Sequence, residues 1–124
     1  METGTILIVE DNNEIRHYLS SGLAELFNIL EAGNGEEALE KLKGNEVDII
    51  VTDVMMPVMD GIAATKAIRA MDRADAKTVP IIAMTANAFE EDAKRCLAAG
   101  MTAHLAKPFQ IENVEKAIVE CCGK

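Results

Sequence analysis

The chain has 124 residues, about the length of one domain, and we expect residues 1–124 to form a single domain. Apolar residues make up 49% of the sequence and charged residues 27%, a balance typical of globular proteins. No apolar run approaches the roughly 20 residues of a membrane helix, and no secretory signal is visible, so we expect a cytoplasmic location without membrane contact. A net charge of −9 disfavours nucleic-acid binding, which needs clustered Lys and Arg, and favours cations or basic partner surfaces.

The three cysteines, Cys96, Cys121 and Cys122, do not follow a metal-ligand spacing. We expect reduced thiols in a cytoplasmic protein. Cys96 and Cys121 fall on apolar helical positions, whereas Cys122 is expected to be exposed.

An apolar run and a cap mark the first strand and the first helix. The run covers Thr5–Val9, and either Asn12 or Asn13 can cap the helix that follows. One face of this helix is apolar, and we expect the helix to end near Phe27. The residues on that face are Ile15, Leu19, Gly22, Leu23 and Leu26.

The second strand and its helix begin with a stretch in which apolar and polar residues are mixed, so we assign Phe27–Ala32 to an edge strand. Asn34 then caps a helix that has Glu37 at its third position. Gly44 is expected to end that helix.

The third strand ends on an acid. Its apolar run covers Ile49–Thr52, and Asp53 stands at the tip. Pro57 and Gly61 then mark a loop before the third helix. The expected inward positions of that helix are Ala64, Thr65, Ile68 and Met71.

The fourth strand and its helix follow a polar stretch. Pro80 opens a strand over Ile81–Met84, and Thr85 closes it. A capping box formed by Asn87 and Glu90 predicts the start of the fourth helix.

The fifth strand and the fifth helix follow Gly100, which predicts the end of the fourth helix. A short strand covers Ala103–Ala106, and Lys107 with Pro108 closes it. The apolar face of the fifth helix carries Ile111, Val114, Ala117, Ile118 and Cys121.

Alternating strands and helices predict an α/β protein with a doubly wound, five-stranded parallel sheet, a flavodoxin-like (βα)5 arrangement. The strand order 2-1-3-4-5 places strands one and three side by side where the order reverses. The ends of these two strands carry Glu10, Asp11 and Asp53. Because the carboxyl ends of parallel strands meet at one edge, we expect these acids to gather there with Thr85 and Lys107.

Three gathered carboxylates repel each other, and a divalent cation removes that cost. Mg²⁺ prefers oxygen ligands and leaves room for a phosphate, so we expect Asp11 and Asp53 to bind it, with Glu10 acting through a water. A carboxylate in line with a phosphoryl donor can attack it and form an acyl phosphate. Lys107 can stabilise the charge on the phosphoryl oxygens, and Thr85 can bond one of them and move with it.

The motifs that carry these residues are ILIVED, TDVMMPVMDG, MTANAF and LAKPF, in that order along the chain. With them, the whole chain resembles the CheY-like receiver domain of two-component response regulators. The resemblance implies that Asp53 is the phosphoacceptor. It also implies that Glu10, Asp11, Asp53 and the backbone carbonyl of Met55 bind Mg²⁺.

The same resemblance implies that Thr85 and Lys107 form a switch pair and that the Lys107–Pro108 bond is cis. Many receivers carry Tyr or Phe three residues before this lysine, where the ring turns inward when the threonine moves. This chain carries His104 at that position. A histidine can still swing, so His104 is expected to join Thr85 in the switch.

The implied function is that of a phosphoacceptor signalling domain, which takes a phosphoryl group from a histidine kinase or a histidine phosphotransfer domain. It is not expected to be an enzyme, beyond assisting its own phosphorylation and dephosphorylation. The fourth helix, fifth strand and fifth helix are expected to bind a downstream protein, an output domain or a second copy of the chain. The TANA stretch at 85–88 is typical of receivers in hybrid histidine kinases, where kinase activity belongs to the larger protein.

Three rival functions make different demands on the sequence. A flavin-binding domain on this fold needs a Gly-, Ser- and Thr-rich phosphate loop after the first strand, where this chain has Glu10 and Asp11. A phosphohydrolase that uses Asp53 as nucleophile needs a second acid two residues later, where Met55 stands. A receiver that acts only as a phosphorylation-independent interaction module is the remaining alternative.

Overall fold

A single parallel sheet of five strands organises the structure. The structure is a computed structural model, and it describes residues 4–25, 27–43, 45, 47–53, 61–71, 79–85, 94, 97–106 and 111–121. The strands are β1 (Thr5–Val9), β2 (Asn28–Ala32), β3 (Ile49–Asp53), β4 (Ile81–Thr85) and β5 (Ala103–Ala106). Their order is β2-β1-β3-β4-β5 and every pair is parallel, which confirms the predicted topology.

Helices connect the strands, as a parallel sheet requires. The helices are α1 (Asn13–Leu23), α2 (Gly35–Leu42), α3 (Gly61–Arg69) and the last helix (Ile111–Cys121). Of the predicted fourth helix, Lys94 and residues 97–99 are helical within the described part of the chain.

Successive strand residues point into two different apolar cores, one on each face of the sheet. The core beneath α2 and α3 contains Leu7, Ile50, Ala38 and Ile68. The core beneath α1 and the last helix contains Ile6, Ile49, Leu19 and Val114. Both faces of the sheet are therefore covered by helices, and the doubly wound prediction is confirmed.

Two predicted helix caps are present. The side-chain oxygen of Asn12 accepts hydrogen bonds from two amides in the first turn of α1, at 2.9 and 3.1 Å. The side chain of Asn34 accepts from the amide of Glu37 at 2.9 Å. The carboxylate of Glu37 in turn accepts from the amide of Gly33 at 3.2 Å, one residue before the cap. Each cap satisfies amides that the helix leaves without a partner, and so fixes where the helix begins.

The first helix is shorter than predicted. It ends at Leu23 rather than near Phe27, although the apolar periodicity continues to Leu26. The chain must turn earlier because the amide of Asn28 bonds to the carbonyl of Gly4 at 2.9 Å, which starts the pairing of β2 with β1. The edge strand accordingly begins at Asn28, one residue later than predicted.

Arg69 joins elements at the edge of the sheet where the strands begin. From the end of α3, its guanidinium donates to the carbonyl of Gly100 at 2.6 and 3.0 Å and to that of Val79 at 2.7 Å. Gly100 has a φ of +110°, which glycine adopts without strain and which suits a residue that ends a helix. Burial lowers the pKa of Arg69, but a guanidinium stays charged at neutral pH.

Within the described ranges, no helix is both long enough and apolar enough to cross a bilayer. The residues with individual predictions that lie outside the described ranges are Leu26, Gly44, Met55, Pro57, Asn87, Glu90, Cys96, Lys107, Pro108 and Cys122.

Candidate functional site

Three acids meet where β1 and β3 end. Asp53 is the last residue of β3, and Glu10 and Asp11 directly follow β1. One carboxylate oxygen from each lies within 4.8 Å of the others. Among the described residues, no other cluster of three acids, histidines or cysteines is close enough to hold a metal ion.

The register of the sheet explains why these acids meet. Val9 of β1 is paired with Thr52 of β3, so the next residues along the two strands, Glu10 and Asp53, lie at the same level. The amide of Glu10 continues the ladder by donating to the carbonyl of Ala32 in β2, at 3.0 Å. Side chains alternate along a strand, and both acids continue the alternation that faces α1 and the last helix.

Burial divides the three acids into two kinds. Glu10 is 1% exposed and Asp53 is 5% exposed, whereas Asp11 is exposed to solvent. Two carboxyl groups are therefore sheltered from solvent, and the third is exposed beside them. Because charges interact more strongly where water is excluded, the cluster attracts cations.

The donor set fits Mg²⁺. Carboxylate oxygens are ligands that this ion prefers, and two oxygens bonded to one Mg²⁺ at about 2.1 Å lie at most about 4.2 Å apart. The three oxygens all lie within 4.8 Å of one another, close to this limit, so the cluster is compact enough for one such ion.

Hydrogen bonds hold the backbone and side chains of this cluster in place. The carboxylate of Glu10 accepts from the amide of Asn12 at 3.0 Å, and its carbonyl accepts from the guanidinium of Arg16 at 2.7 Å. The buried hydroxyl of Thr52 donates to the carbonyl of Asp53 at 3.0 Å. Sequence reasoning missed Arg16 and Thr52, because neither contact follows from a motif or a periodic pattern.

The other predicted site residues are described to different extents. Thr85 is the last residue of β4, where its backbone pairs with Ala106, so it lies at the same edge as the acids, but its side chain lies outside the described part. Met55 and Lys107 lie outside the described residues. His104 is exposed on the edge strand β5 and pairs with Ala83.

A groove of about 310 Å³ runs between β5 and the last helix. Its walls are formed by Ala103, His104, Leu105, Asn113, Lys116, Ala117 and Glu120. It mixes apolar, basic and acidic side chains and belongs to the face that the sequence predicted as a protein-binding surface.

The chain is similar to known proteins over most of its length. The family model for the response regulator receiver domain matches residues 6–119. The chemotaxis protein CheY of Halobacterium salinarum is 38% identical over 91% of this chain and 92% of that protein. The sensor histidine kinase RcsC of Escherichia coli is 37% identical over 91% of this chain, but over only 12% of the kinase.

A solved structure shows the same relationship. The receiver domain of the sensor histidine kinase PA1611 from Pseudomonas aeruginosa, which holds a magnesium ion in its active site cleft, is 35% identical to this chain. The match covers 99% of this chain and 100% of that one, with a TM-score of 0.88. This chain spans 15% or less of the length of several curated histidine kinases that it matches. The sequence motifs, the sheet order and the family match agree, and the chain belongs to the response regulator receiver domain family of two-component systems.

Proposed function

We propose that this chain is an Mg²⁺-dependent phosphoacceptor domain that takes a phosphoryl group from a phosphohistidine onto Asp53. One observation carries the proposal. In a chain that matches the receiver family, Glu10, Asp11 and Asp53 bring one carboxylate oxygen each within 4.8 Å of the others, at the ends of β1 and β3. The magnesium ion of the PA1611 receiver domain supports the same ion for this chain. Asp11, Asp53 and the carbonyl of Met55 are the proposed ligands, with Glu10 acting through a water.

In the proposed reaction, a carboxylate oxygen of Asp53 attacks the phosphorus atom. The bond between phosphorus and the histidine nitrogen of the partner breaks, and that nitrogen keeps the electron pair. The product is an acyl phosphate on Asp53. A bound Mg²⁺ supplies charge neutralisation at the phosphoryl oxygens, which otherwise repel the carboxylate.

The switch is proposed to pass from Asp53 to β4 and β5. Thr85 bonds an oxygen of the new phosphoryl group, and Lys107 pairs with another. Movement of Thr85 then changes the position of His104 on β5. The pairing of β4 with β5 supports this route, because Thr85 and His104 lie on adjacent strands.

The proposed output face consists of the predicted fourth helix, β5 and the last helix. Receiver domains interact with histidine kinases or phosphotransfer proteins. For this chain we propose such a histidine donor, and a downstream protein, an output domain or a second copy of the chain on the output face. The groove between β5 and the last helix supports this assignment, because it offers charged and apolar contacts together.

We further propose that residues 1–124 form one receiver domain of a cytoplasmic protein and that this domain does not bind nucleic acid. Several curated relatives are histidine kinases of which this chain matches a small part, which favours the receiver portion of a hybrid histidine kinase. In that case kinase activity belongs to the larger protein, and the receiver itself only assists its own phosphorylation and dephosphorylation.

Labelling by a small phosphodonor tests the proposal. Wild-type protein incubated with acetyl phosphate and Mg²⁺ should gain one phosphoryl group by intact-mass spectrometry, and hydroxylamine should remove it, as expected of an acyl phosphate. Asp53→Asn should gain none. Asp48→Asn is the matched control, because Asp48 is exposed and directly precedes β3, and this variant should be labelled normally. Unchanged labelling of Asp53→Asn contradicts the proposal.

A further inference from the structure

Arg16 connects three parts of the fold beside the acidic cluster. From α1, its Nη1 donates to the carbonyl of Glu10 at 2.7 Å, and its Nε donates to the carboxylate of Glu31 in β2 at 3.0 Å. Its Nη2 donates to the side-chain oxygen of Asn13. The Arg16 side chain is 22% exposed, so these contacts are partly shielded from water.

The carbonyl that Arg16 holds belongs to the peptide unit between Glu10 and Asp11. That unit is planar, so fixing its oxygen also fixes the amide and the Cα of Asp11. The peptide unit before Glu10 is fixed as well, through the bond from the Glu10 amide to Ala32. Arg16 thus bonds to the peptide plane that joins the Cα atoms of Glu10 and Asp11, and this plane contributes to the directions of both side chains.

We propose that Arg16 is a positioning residue of the acidic site, which sets the mutual geometry of Glu10, Asp11 and Asp53 for a small divalent cation. The inference rests on the proposed function, because it concerns cation binding by these three acids. Arg16 touches neither the phosphoryl group nor the cation in this role. It acts through the carbonyl of Glu10.

Geometry rather than charge is the basis of the proposed effect. The positive charge of Arg16 is paired with Glu31, which lowers its net field at the cluster. Moreover, a positive charge near the site repels a cation, so an effect of charge alone predicts that removal of Arg16 raises the Mg²⁺ affinity. The positioning role predicts that removal of Arg16 lowers it.

Calorimetric titration of the purified chain with Mg²⁺ and with Ca²⁺ separates the two effects. Arg16→Ala should weaken Mg²⁺ binding by about tenfold, the loss typical when a group that orients metal ligands is removed. Arg16→Lys keeps the charge, but one ammonium cannot reproduce the fork of donors, so it should still bind Mg²⁺ at least about threefold more weakly than wild type. Ca²⁺ accepts irregular geometry, so its affinity should fall by less than about threefold in both variants.

Lys43→Ala is the control for loss of a positive charge, because Lys43 forms an exposed ion pair with Glu40 on α2. It should leave both affinities unchanged. Urea denaturation without metal measures whether each variant is folded at the titration temperature. If Arg16→Ala is not folded, the comparison of Arg16→Lys with the wild type tests the proposal.

If the wild type binds Mg²⁺, two results overturn the role of Arg16 while the proposed function stands. One is an Mg²⁺ affinity that is the same in both Arg16 variants as in the wild type. The other is an equal loss of Mg²⁺ and Ca²⁺ affinity in the variants. A wild type that does not bind Mg²⁺ at all overturns the proposed function, and the inference with it.

Discussion

At the scale of single residues, Asp53 lies close to two other acids, Glu10 and Asp11. Unit charges about 5 Å apart repel by up to about 3 kcal/mol at an effective dielectric constant of about 20, and Asp53 faces Glu10 and Asp11 within 4.8 Å. We therefore expect Asp53→Asn to raise the free energy of unfolding by about 1 kcal/mol in metal-free buffer, although it removes the proposed phosphoacceptor. Urea denaturation in the presence of a chelator measures this change.

Addition of Mg²⁺ should reverse the order of the two proteins. A ligand that binds only the folded state at about 100 times its Kd stabilises by about 2.7 kcal/mol, and the variant lacks one proposed ligand. Asp48→Asn is again the matched control, because Asp48 accepts a hydrogen bond from the amide of Thr5, which an asparagine oxygen can also accept. A loss of stability in metal-free Asp53→Asn contradicts the account of repulsion.

The meeting of the three acids was predictable from the sequence, but the hydrogen bonds that hold them in place were not. Glu10, Asp11 and Asp53 stand at the ends of apolar runs, so a parallel topology alone brings them to one edge. Arg16 reaches a carbonyl six residues earlier and a carboxylate on β2, so its contacts depend on the distance between α1 and two strands. Thr52 acts through a single buried hydroxyl, which looks in the sequence like an ordinary β-branched strand residue.

At the scale of elements, α1 packs closely against the start of the last helix. A Cβ atom on Gly22 would lie 2.6 Å from Cγ1 of Ile111 and even closer to its Cδ1 atom. In the same contact, the hydroxyl of Tyr18 accepts a hydrogen bond from the amide of Ile111 at 3.3 Å. A larger residue at position 22 would therefore force the Ile111 side chain to shift, so glycine suits the close approach of the two helices, although it is a poor helix former.

Gly22→Ala should lower the free energy of unfolding by about 1 kcal/mol, because overpacking costs typically about 1–3 kcal/mol and the better helix propensity returns about 1 kcal/mol. In an Ile111→Ala background the obstructing atoms are absent, so the same substitution should instead stabilise the protein by up to about 1 kcal/mol. Urea denaturation of the four proteins of this double-mutant cycle measures the change of sign. Equal effects in both backgrounds contradict the close contact.

The same contact shows what periodicity reveals about an element and what it leaves out. The apolar pattern placed Gly22 on the inward face of the first helix but did not indicate which helix packs against it. Periodicity also extended that helix toward Phe27, whereas the helix ends at Leu23. The end is set by the pairing of Asn28 with Gly4, a contact between segments distant in sequence, and local patterns do not report such contacts.

At the scale of the whole molecule, the doubly wound sheet was predictable because few topologies satisfy the constraints. Alternating strand and helix patterns require crossovers, and crossovers of one hand with helices on both faces leave a doubly wound sheet as the economical topology. The observed order is one of the two common orders of such sheets. Because helices cover both faces of this sheet, alternate strand residues pack into two separate apolar cores, one on each face.

Net charge acts over the same scale and adds to the local field of the acidic cluster. The chain carries 21 acidic and 12 basic residues, for a net charge of −9, and most of these acids lie outside the cluster. Raising the ionic strength from about 0.01 M to about 0.15 M shortens the Debye length from about 30 Å to about 8 Å. The distant acids are then screened, whereas the three clustered acids stay within 4.8 Å of one another and are screened much less.

We therefore expect two different salt responses in Mg²⁺ titrations. Wild-type affinity should fall as NaCl rises over this range, because the long-range attraction of the acidic molecule is lost. The ratio of wild-type affinity to that of Glu10→Gln should change little, because it reports a local interaction that salt screens weakly. Calorimetry at both ionic strengths measures the two quantities. If the ratio falls in proportion to the wild-type affinity, Glu10 acts on the cation only as a distant charge, and its proposed contact through a water is wrong.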